Sequence, residues 1–501
     1  MQLFWSKVFE NKQTLVVVGG GTAGWMTAAL LNHHLPANLF NIMLIESPDV
    51  SIIGVGEGST PQLRNFFNLL GIDESDWMPA CHATFKNGIR FSNWTSGKSK
   101  NSYFHPFPSI TDRQTAAEFL INCHKRQNGS IAHTDPDSYF LAAQLASNGQ
   151  GPKTSSNEHK IAINYAYHFD SGLVGKFIQA HCSKKGVQHI KAHVTEVKQH
   201  PNGSISSLTL SDAREIQADW FFDCTGFQGL LIQKTLNTPF IPFKQNLFND
   251  RAIAIPSLRC DTFEAQTTST ALDYGWAWRI PLTHRTGNGY VYSSDYCSPD
   301  DAERELRQHL GLLDSTVEAR HLKMNVGRCE NTWVNNCIAV GLSQGFIEPL
   351  EATALHIVHE TVEKFISAFA AGGYSTQHQN QYNEVINARI EGIRDYIVCH
   401  FQVSNRKDTQ YWRDNSENCV RSDSLKHILD VWVKGGDLTA EINRQQIAHY
   451  YPSVSWHCLL AGYDFFNHRQ RDKTSPSEQV QQHIAQLTRY FKPHNSILNA
   501  N

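Results

Sequence analysis

The sequence predicts an α/β fold: a Rossmann-like parallel sheet, an antiparallel sheet that interrupts it, and a mostly helical C-terminal part. Three observations carry this. The apolar run Leu15-Val16-Val17-Val18 enters Gly19-Gly20-Gly21-Thr22-Ala23-Gly24, a G-x-G-x-x-G turn between a strand and a helix. The same strand-into-glycine pattern returns at residues 220–226 and 337–341, with alternating strand patterns between them. Beyond Gly373 the pattern is helical and rich in aromatic pairs such as Tyr411-Trp412 and Tyr450-Tyr451.

In the first turn, Gly19 takes strained dihedrals, Gly21 lets a pyrophosphate approach the main chain, and Gly24 lets the helix pack on the strand. The helix from residue 25 to about 35 aims its free N–H groups at the phosphates. A second strand, residues 41–45, delivers Glu46 22 positions after Gly24, where an acid accepts hydrogen bonds from ribose hydroxyls. A lone glycine pattern is weak evidence. With both strands and the acid in place, it marks an adenine dinucleotide site.

With 41% hydrophobic and 18% charged residues, a chain of 501 allows a large core and more than one folding unit. A net charge of -3 gives no basic footprint for nucleic acid. No apolar run reaches the roughly 18 residues of a membrane span, and residues 1–11 lack a signal-peptide core, which points to the cytoplasm. The 11 cysteines include no C-x-x-C pair, so neither a disulfide framework nor a zinc knuckle is expected. The pair His356 and His359 lacks a third ligand, so no metal site is expected either.

Residues 54–61, Gly-Val-Gly-Glu-Gly-Ser-Thr-Pro, read as a glycine loop, with Thr60 capping a helix and Pro61 at its first position. Leu63, Phe66, Phe67 and Leu70 give that helix one apolar stripe, and Gly71 ends it. Residues 83–91 alternate as one strand, with Lys86 on the face of Thr84, Gly88 and Arg90. On spacing alone, Lys86 is a solvated lysine on a half-exposed strand. Residues 147–159 are polar and read as an exposed loop. An alternating run at 161–169, a helix at 173–183 and a strand at 193–197 follow, and Pro201-Asn202-Gly203 forms a hairpin turn.

Trp276 and Trp278 fall on one face of a strand and build one flat wall. Residues 341–353 open a long helix whose stripe is Leu355, Val358, Val362, Phe365 and Phe369, closed by Gly372-Gly373. Glu351 and Thr353 then sit at the helix start, where free N–H groups favour an anion. On position alone, Glu351 is a first-turn acid that complements the helix dipole.

Together these residues resemble the flavin-dependent tryptophan halogenases, a branch of the FAD-binding monooxygenases, over most of the chain up to about Gly373. The marks are Gly19 to Gly24, Gly54-Val55-Gly56-Glu57, Thr84-Phe85-Lys86-Asn87-Gly88-Ile89-Arg90-Phe91, the W-x-W-x-I-P run from Trp276 to Pro281, and the run from Phe346 to Thr353. The glycine turn is shared with many flavoproteins; W-x-W-x-I-P together with the lysine segment is specific.

The resemblance implies FAD, and chloride or bromide, which with oxygen yield hypohalous acid. Only one dinucleotide fingerprint is present, so a separate flavin reductase is expected to supply the reduced FAD. Lys86 matches the family's catalytic lysine, which holds the halogen as a haloamine or by hydrogen bonding. Glu351 matches the catalytic glutamate, which polarises the halogen donor or takes the proton from the halogenated ring. Thr353 and Ala354 match the halide-binding pair, Ala354 standing where the family often has Gly. Cofactor contacts are expected at Gly19, Gly21, Thr22, Ala23, Gly24, Glu46, Gly54, Val55, Gly56, Glu57, Val194, Gly226, Gly341 and Leu342. The indole wall would keep the substrate off the flavin.

His105-Pro106-Phe107 resembles the His-x-Phe pair that sandwiches the indole ring in members acting on free tryptophan. The C-terminal part departs from those members. Only Tyr450-Tyr451 precede Ser455-Trp456, without the Glu and Asn that hold the amino acid's charged groups. Substrate contacts are therefore expected at His105, Phe107, Tyr450, Tyr451 and Trp456, with another indole or a peptide-borne aromatic in place of free tryptophan. The chain is expected to divide into a FAD-binding core, residues 1–373, with substrate-side insertions at about 83–170 and 240–330, and a helical capping region, residues 374–501. A homodimer is one open option for its assembly. The competing readings are an FAD-dependent aromatic hydroxylase, indifferent to halide, and a flavoprotein that binds without turnover.

Overall fold

The computed structural model describes residues 12–49, 56–96, 101–155, 161–467 and 474–498; the expected contacts at Gly54 and Val55 lie outside them. A six-stranded sheet carries the glycine turns. Its order is Trp333–Val334, Cys337–Ala339, Trp220–Asp223, Gln13–Val18, Phe40–Glu46 and Gln188–Lys191, and all neighbours are parallel except the first pair. Both faces of these strands are apolar because both are covered. On one face, Phe222 and Trp220 meet Phe365 and Phe369 of the helix Ala354–Ala371, with the helices Thr22–His34 and Ser171–Lys184 alongside. On the other, Val16, Val18 and Phe221 pack with Ile205, Leu208 and Leu210 of a small antiparallel sheet. The turn at residues 201–203 joins two strands of that sheet, as its Asn-Gly pair predicts.

A seven-stranded sheet, mostly antiparallel, forms a second layer: Arg320–Lys323, Arg251–Ser257, Thr286–Tyr292, Gly275–Pro281, Thr267–Leu272, Gly88–Ser92 and Ser102–Pro106 in that order. A third sheet sets Ala166–Asp170 between Gly56–Gly58 and Thr84–Lys86. Residues 83–91 are therefore not one strand. The chain leaves the small sheet after Lys86, Asn87 N–H donates to Ala265 O at 2.7 Å, and Gly88 enters the large sheet. Lys86 and Gly88 do not share a face. Gly88 is the close-approach point: a Cβ there would lie 2.4 Å from His105 O and 2.5 Å from the Phe104 ring.

Two further expectations are corrected. Residues 150–154 are not loop; Gln150–Thr154 pairs with Phe491–Pro493 near the C-terminus, so polar side chains there lie on an edge ladder. The helix after the glycine loop is Gln62–Leu69, with Pro61 in the cap position and Thr60 Oγ1 accepting from Gln62 N–H at 3.4 Å. After residue 373 the chain runs mainly through helices, the longest being Gln379–Gln402.

The switch between sheets gives a stability prediction. Gly88→Ala should destabilise the fold by about 2 kcal/mol or more, because carbonyl and ring must both retreat. Thermal unfolding checks this; an unchanged melting temperature would mean that the two strands are not held this close.

Candidate active site

The C-terminal ends of the parallel strands bring three glycine turns side by side: Gly19 to Gly24, Gly226 and Gly341-Leu342. Gly19 has φ +120°, and a Cβ there would lie 2.2 Å from Cys224 O. At Gly21 a Cβ would meet nothing within 4 Å, so the main chain offers an open face at the N-terminus of the helix Thr22–His34. Thr22 Oγ1 donates to Ser171 O, Ala23 lies against Gly341, and Ser343 Oγ donates to Gly226 O. Glu46 ends its strand half-buried, with His189 Nε2 2.8 Å from its Oε2. Free N–H groups over an open cradle, with an acid at the adjacent strand end, fit an adenine dinucleotide such as FAD. Gly56 packs on Ile280 and Gly287, and burial lifts the Glu57 carboxyl to about 7. Val194, half-buried, opens the strand Val194–Gln199.

Lys86 is 0% exposed. Its Nζ donates to Ser59 O at 3.1 Å and lies 5.6 Å from the centre of the Phe107 ring. Burial lowers the amine to about 7, against a smaller upward pull from Glu351. His168, bonded to Thr84 Oγ1 and Thr267 Oγ1, is held neutral by burial and by the charge of Lys86. The solvated-lysine reading therefore fails: the face of Thr84 and Lys86 is closed by the neighbouring strands.

Glu351 does not belong to the first turn of the helix. It ends the short 3-10 turn Pro349–Glu351; Ala352 then reverses the chain at φ +54°, and the helix begins at Ala354. This turn sends the Glu351 carboxyl inward, where it is 5% exposed. His400 Nε2 stands 3.0 Å from Glu351 Oε1, off the line of a hydrogen bond, so both atoms keep unfilled capacity. Burial raises the Glu351 carboxyl, with the charges of His105 and Lys86 opposing, and drives His400 down to about 3, so His400 is neutral. Lys86 and Glu351 influence one another without forming an ion pair. Thr353, two residues after Glu351, is buried, and Ala354 is exposed.

An aromatic enclosure surrounds this pair. His105 shares a 2.8 Å hydrogen bond with Tyr396, whose hydroxyl donates to Ser455 O. Tyr396 stacks on Tyr451 at 3.6 Å between centres and meets Trp456 edge-on at 4.7 Å. Tyr450 packs on Gly392. His105 Nδ1, Tyr451 Oη and Trp456 Nε1 are buried without hydrogen-bond partners among the described residues. Trp276 and Trp278 are 6.2 Å apart but tilted by 58°, so they do not make one flat wall. Trp276 instead donates to Glu348 Oε2 at 2.7 Å, tying the strand Gly275–Pro281 to the segment that carries Glu351.

Ser59, His168, Glu348, Tyr396 and His400 were not picked out from the sequence. Tyr396 and His400 carried a readable signal, being four apart on a helix among apolar neighbours. Ser59 acts through its carbonyl, which no side-chain pattern reveals.

Comparison with known proteins completes the picture. The sequence model described as tryptophan halogenase matches residues 14–477. The chain is 35% identical over 478 residues to a tryptophan 6-halogenase of Streptomyces toxytricini, covering 90% of each. It is similar to the solved structure of a tryptophan halogenase from Shewanella frigidimarina, with 32% identity, a TM-score of 0.86, and 98% and 97% of the two chains covered. It is also similar to a flavin-dependent halogenase from Brevundimonas sp. BAL3, with 30% identity, a TM-score of 0.82, and coverage of 98% and 99%.

Proposed function

The chain belongs to the tryptophan halogenase family and is a flavin-dependent halogenase; from that premise we propose that Lys86 and Glu351 carry halogen transfer to an indole-type ring. The observation that supports this most is the buried Lys86 amine, near pH 7 poised between its two protonation states, under the electrostatic influence of a buried carboxyl with which it is not paired. Reduced FAD, with oxygen and chloride or bromide, supplies hypohalous acid when bound. Gly19, Gly21, Thr22, Ala23 and Gly24 would hold its phosphates, Glu46 its ribose, and Thr353 and Ala354 the halide. The ring hydroxylase reading gives no task to a desolvated lysine.

As the free amine, Lys86 takes the halogen on Nζ and releases water; as the ammonium, it holds the acid by a hydrogen bond. Either way the halogen reaches a ring carbon, and the ring's displaced proton passes to Glu351, whose raised affinity for protons suits a general base. His105, Phe107, Tyr450, Tyr451 and Trp456 would hold the ring by stacking and edge contacts, each aromatic pair contributing ~0.5 to 1.5 kcal/mol. No carboxylate lies between His449 and Trp456 to receive an ammonium, so free tryptophan should be a poor substrate compared with simpler indoles. We place the reaction in the cytoplasm, where the eleven free thiols stay reduced.

Lys86→Ala should abolish halogenated product while FAD binding, which uses other residues, survives. Glu351→Gln should slow halogenation by ~100-fold or more, the range for losing a positioned base. Product masses from reduced FAD, oxygen, bromide and an indole panel decide both; parent-rate, regioselective product from Lys86→Ala would refute the assignment. The reduced flavin is to come from a separate reductase, and rapid NADH or NADPH oxidation by the purified chain alone would contradict that.

A further inference from the structure

His168 is fully buried and pairs in register with Gly58 on one side of its strand and with Thr84 on the other. Both of its ring nitrogens are engaged: Nδ1 lies 3.0 Å from Thr84 Oγ1, and Nε2 lies 2.9 Å from Thr267 Oγ1. Thr84 fixes which nitrogen carries the proton. Its single hydroxyl hydrogen goes to Pro281 O at 2.8 Å, an atom that can only accept, so Thr84 Oγ1 must accept from His168 and Nδ1 bears the N–H. Burial and the charge of Lys86 keep the ring neutral, so Nε2 carries no proton and the Thr267 hydroxyl donates to it. The chain thus runs one way, from Thr267 through His168 and Thr84 to Pro281 O. Thr267 Oγ1 makes no other hydrogen bond among the described residues, and with its hydrogen given to His168 it is left an acceptor only. That oxygen stands beside the reacting amine. A Cβ on Gly58 would lie 3.2 Å from Lys86 Nζ, 3.3 Å from Thr267 Oγ1 and 3.7 Å from His168 Cδ2, so amine and oxygen flank one side of a residue that has no side chain to cover them.

We propose that Thr267 binds the hypohalous acid delivered to Lys86, accepting a hydrogen bond from its O–H, and that His168 is the positioning residue that makes Thr267 an acceptor there. The proposal rests on the halogenase reading, which gives Lys86 such an acid to hold. Two oxygens border the amine, Ser59 O and Thr267 Oγ1, and both are acceptors. They suit a small molecule that carries an O–H; a bare halide ion has no hydrogen to donate to either. Held by its O–H, the acid keeps its halogen end free for Nζ. The opposite tautomer of His168 would donate to Thr267 and turn the Thr267 hydrogen outward, so the direction of the chain decides what the amine's neighbour can bind.

Neutron diffraction from crystals of the FAD-loaded protein locates the hydrogens with no substitution at all. It should show one on His168 Nδ1, none on Nε2, and the Thr267 hydroxyl aimed at Nε2; a hydrogen on Nε2 would overturn the proposal. The second arm supplies reduced FAD, oxygen, bromide and an indole, and counts oxidised bromine both as indole product and as acid trapped in solution by a reactive phenol. Thr267→Val keeps the side chain's shape and removes its oxygen. It should leave the total unchanged and lower the share that becomes indole product by up to about tenfold, the range for one hydrogen bond, while Thr267→Ser restores that share. Gly58→Ala, whose methyl would crowd both Nζ and Oγ1, should lower the share in the same way and carries this arm if Thr267→Val does not fold. A native share in a folded Thr267→Val, or a total that falls with it, would overturn the binding role while native product upholds the halogenase reading. If the native protein yields neither product nor trapped acid, the halogenase reading itself fails and the binding role falls with it.

Discussion

An amine with one carbonyl acceptor and no paired carboxylate, closed off from water, is the constraint on which the rest of this structure depends. Burying an isolated ammonium is costly, and a lysine answers that cost by giving up its proton more easily. The fold enforces it. Lys86 ends a strand of the small sheet, Asn87 crosses over, and Gly88 is already inside the large sheet, so the side chain is walled by Ser59, His168 and Phe107. Two sheets meeting at one residue hold the amine more firmly than a single strand edge would.

The opposite wall is built by a different device. Glu351 owes its inward direction to the left-handed Ala352, and the segment just before it is anchored where Trp276 and Asn249 both donate to Glu348 Oε2. Neutral His400, bonded to Tyr463 on its far nitrogen, sets the nearest approach to the carboxyl. The helix bearing His400 also supplies Tyr396, so one element fixes both the neighbour of the Glu351 carboxyl and the stack on Tyr451. Carboxyl and amine are thus positioned from separate parts of the chain, each buried and neither in an ion pair with the other.

Much of this was legible in the sequence, and the limits were physical. The glycine turn, Glu46 and the returning strands at Trp220–Asp223 and Cys337–Ala339 follow local rules, and the parallel sheet forms as those rules require. Lys86 and Glu351 could be named by resemblance, but their environments could not. Alternation at residues 83–91 cannot show that the chain changes sheets in its middle, because the pairing partners lie far away in sequence. Spacing put Trp276 and Trp278 on one face without revealing that a hydrogen bond to Glu348 turns one ring away from the other.

The central claim is that Lys86 is desolvated to the point of being an amine near neutrality. Titration of its Nζ and Cε resonances in isotope-labelled protein, assigned by comparison with Lys86→Arg, reads this directly. The account predicts a midpoint of about 7; a midpoint at the ordinary 10.5 would show a hydrated ammonium and contradict it.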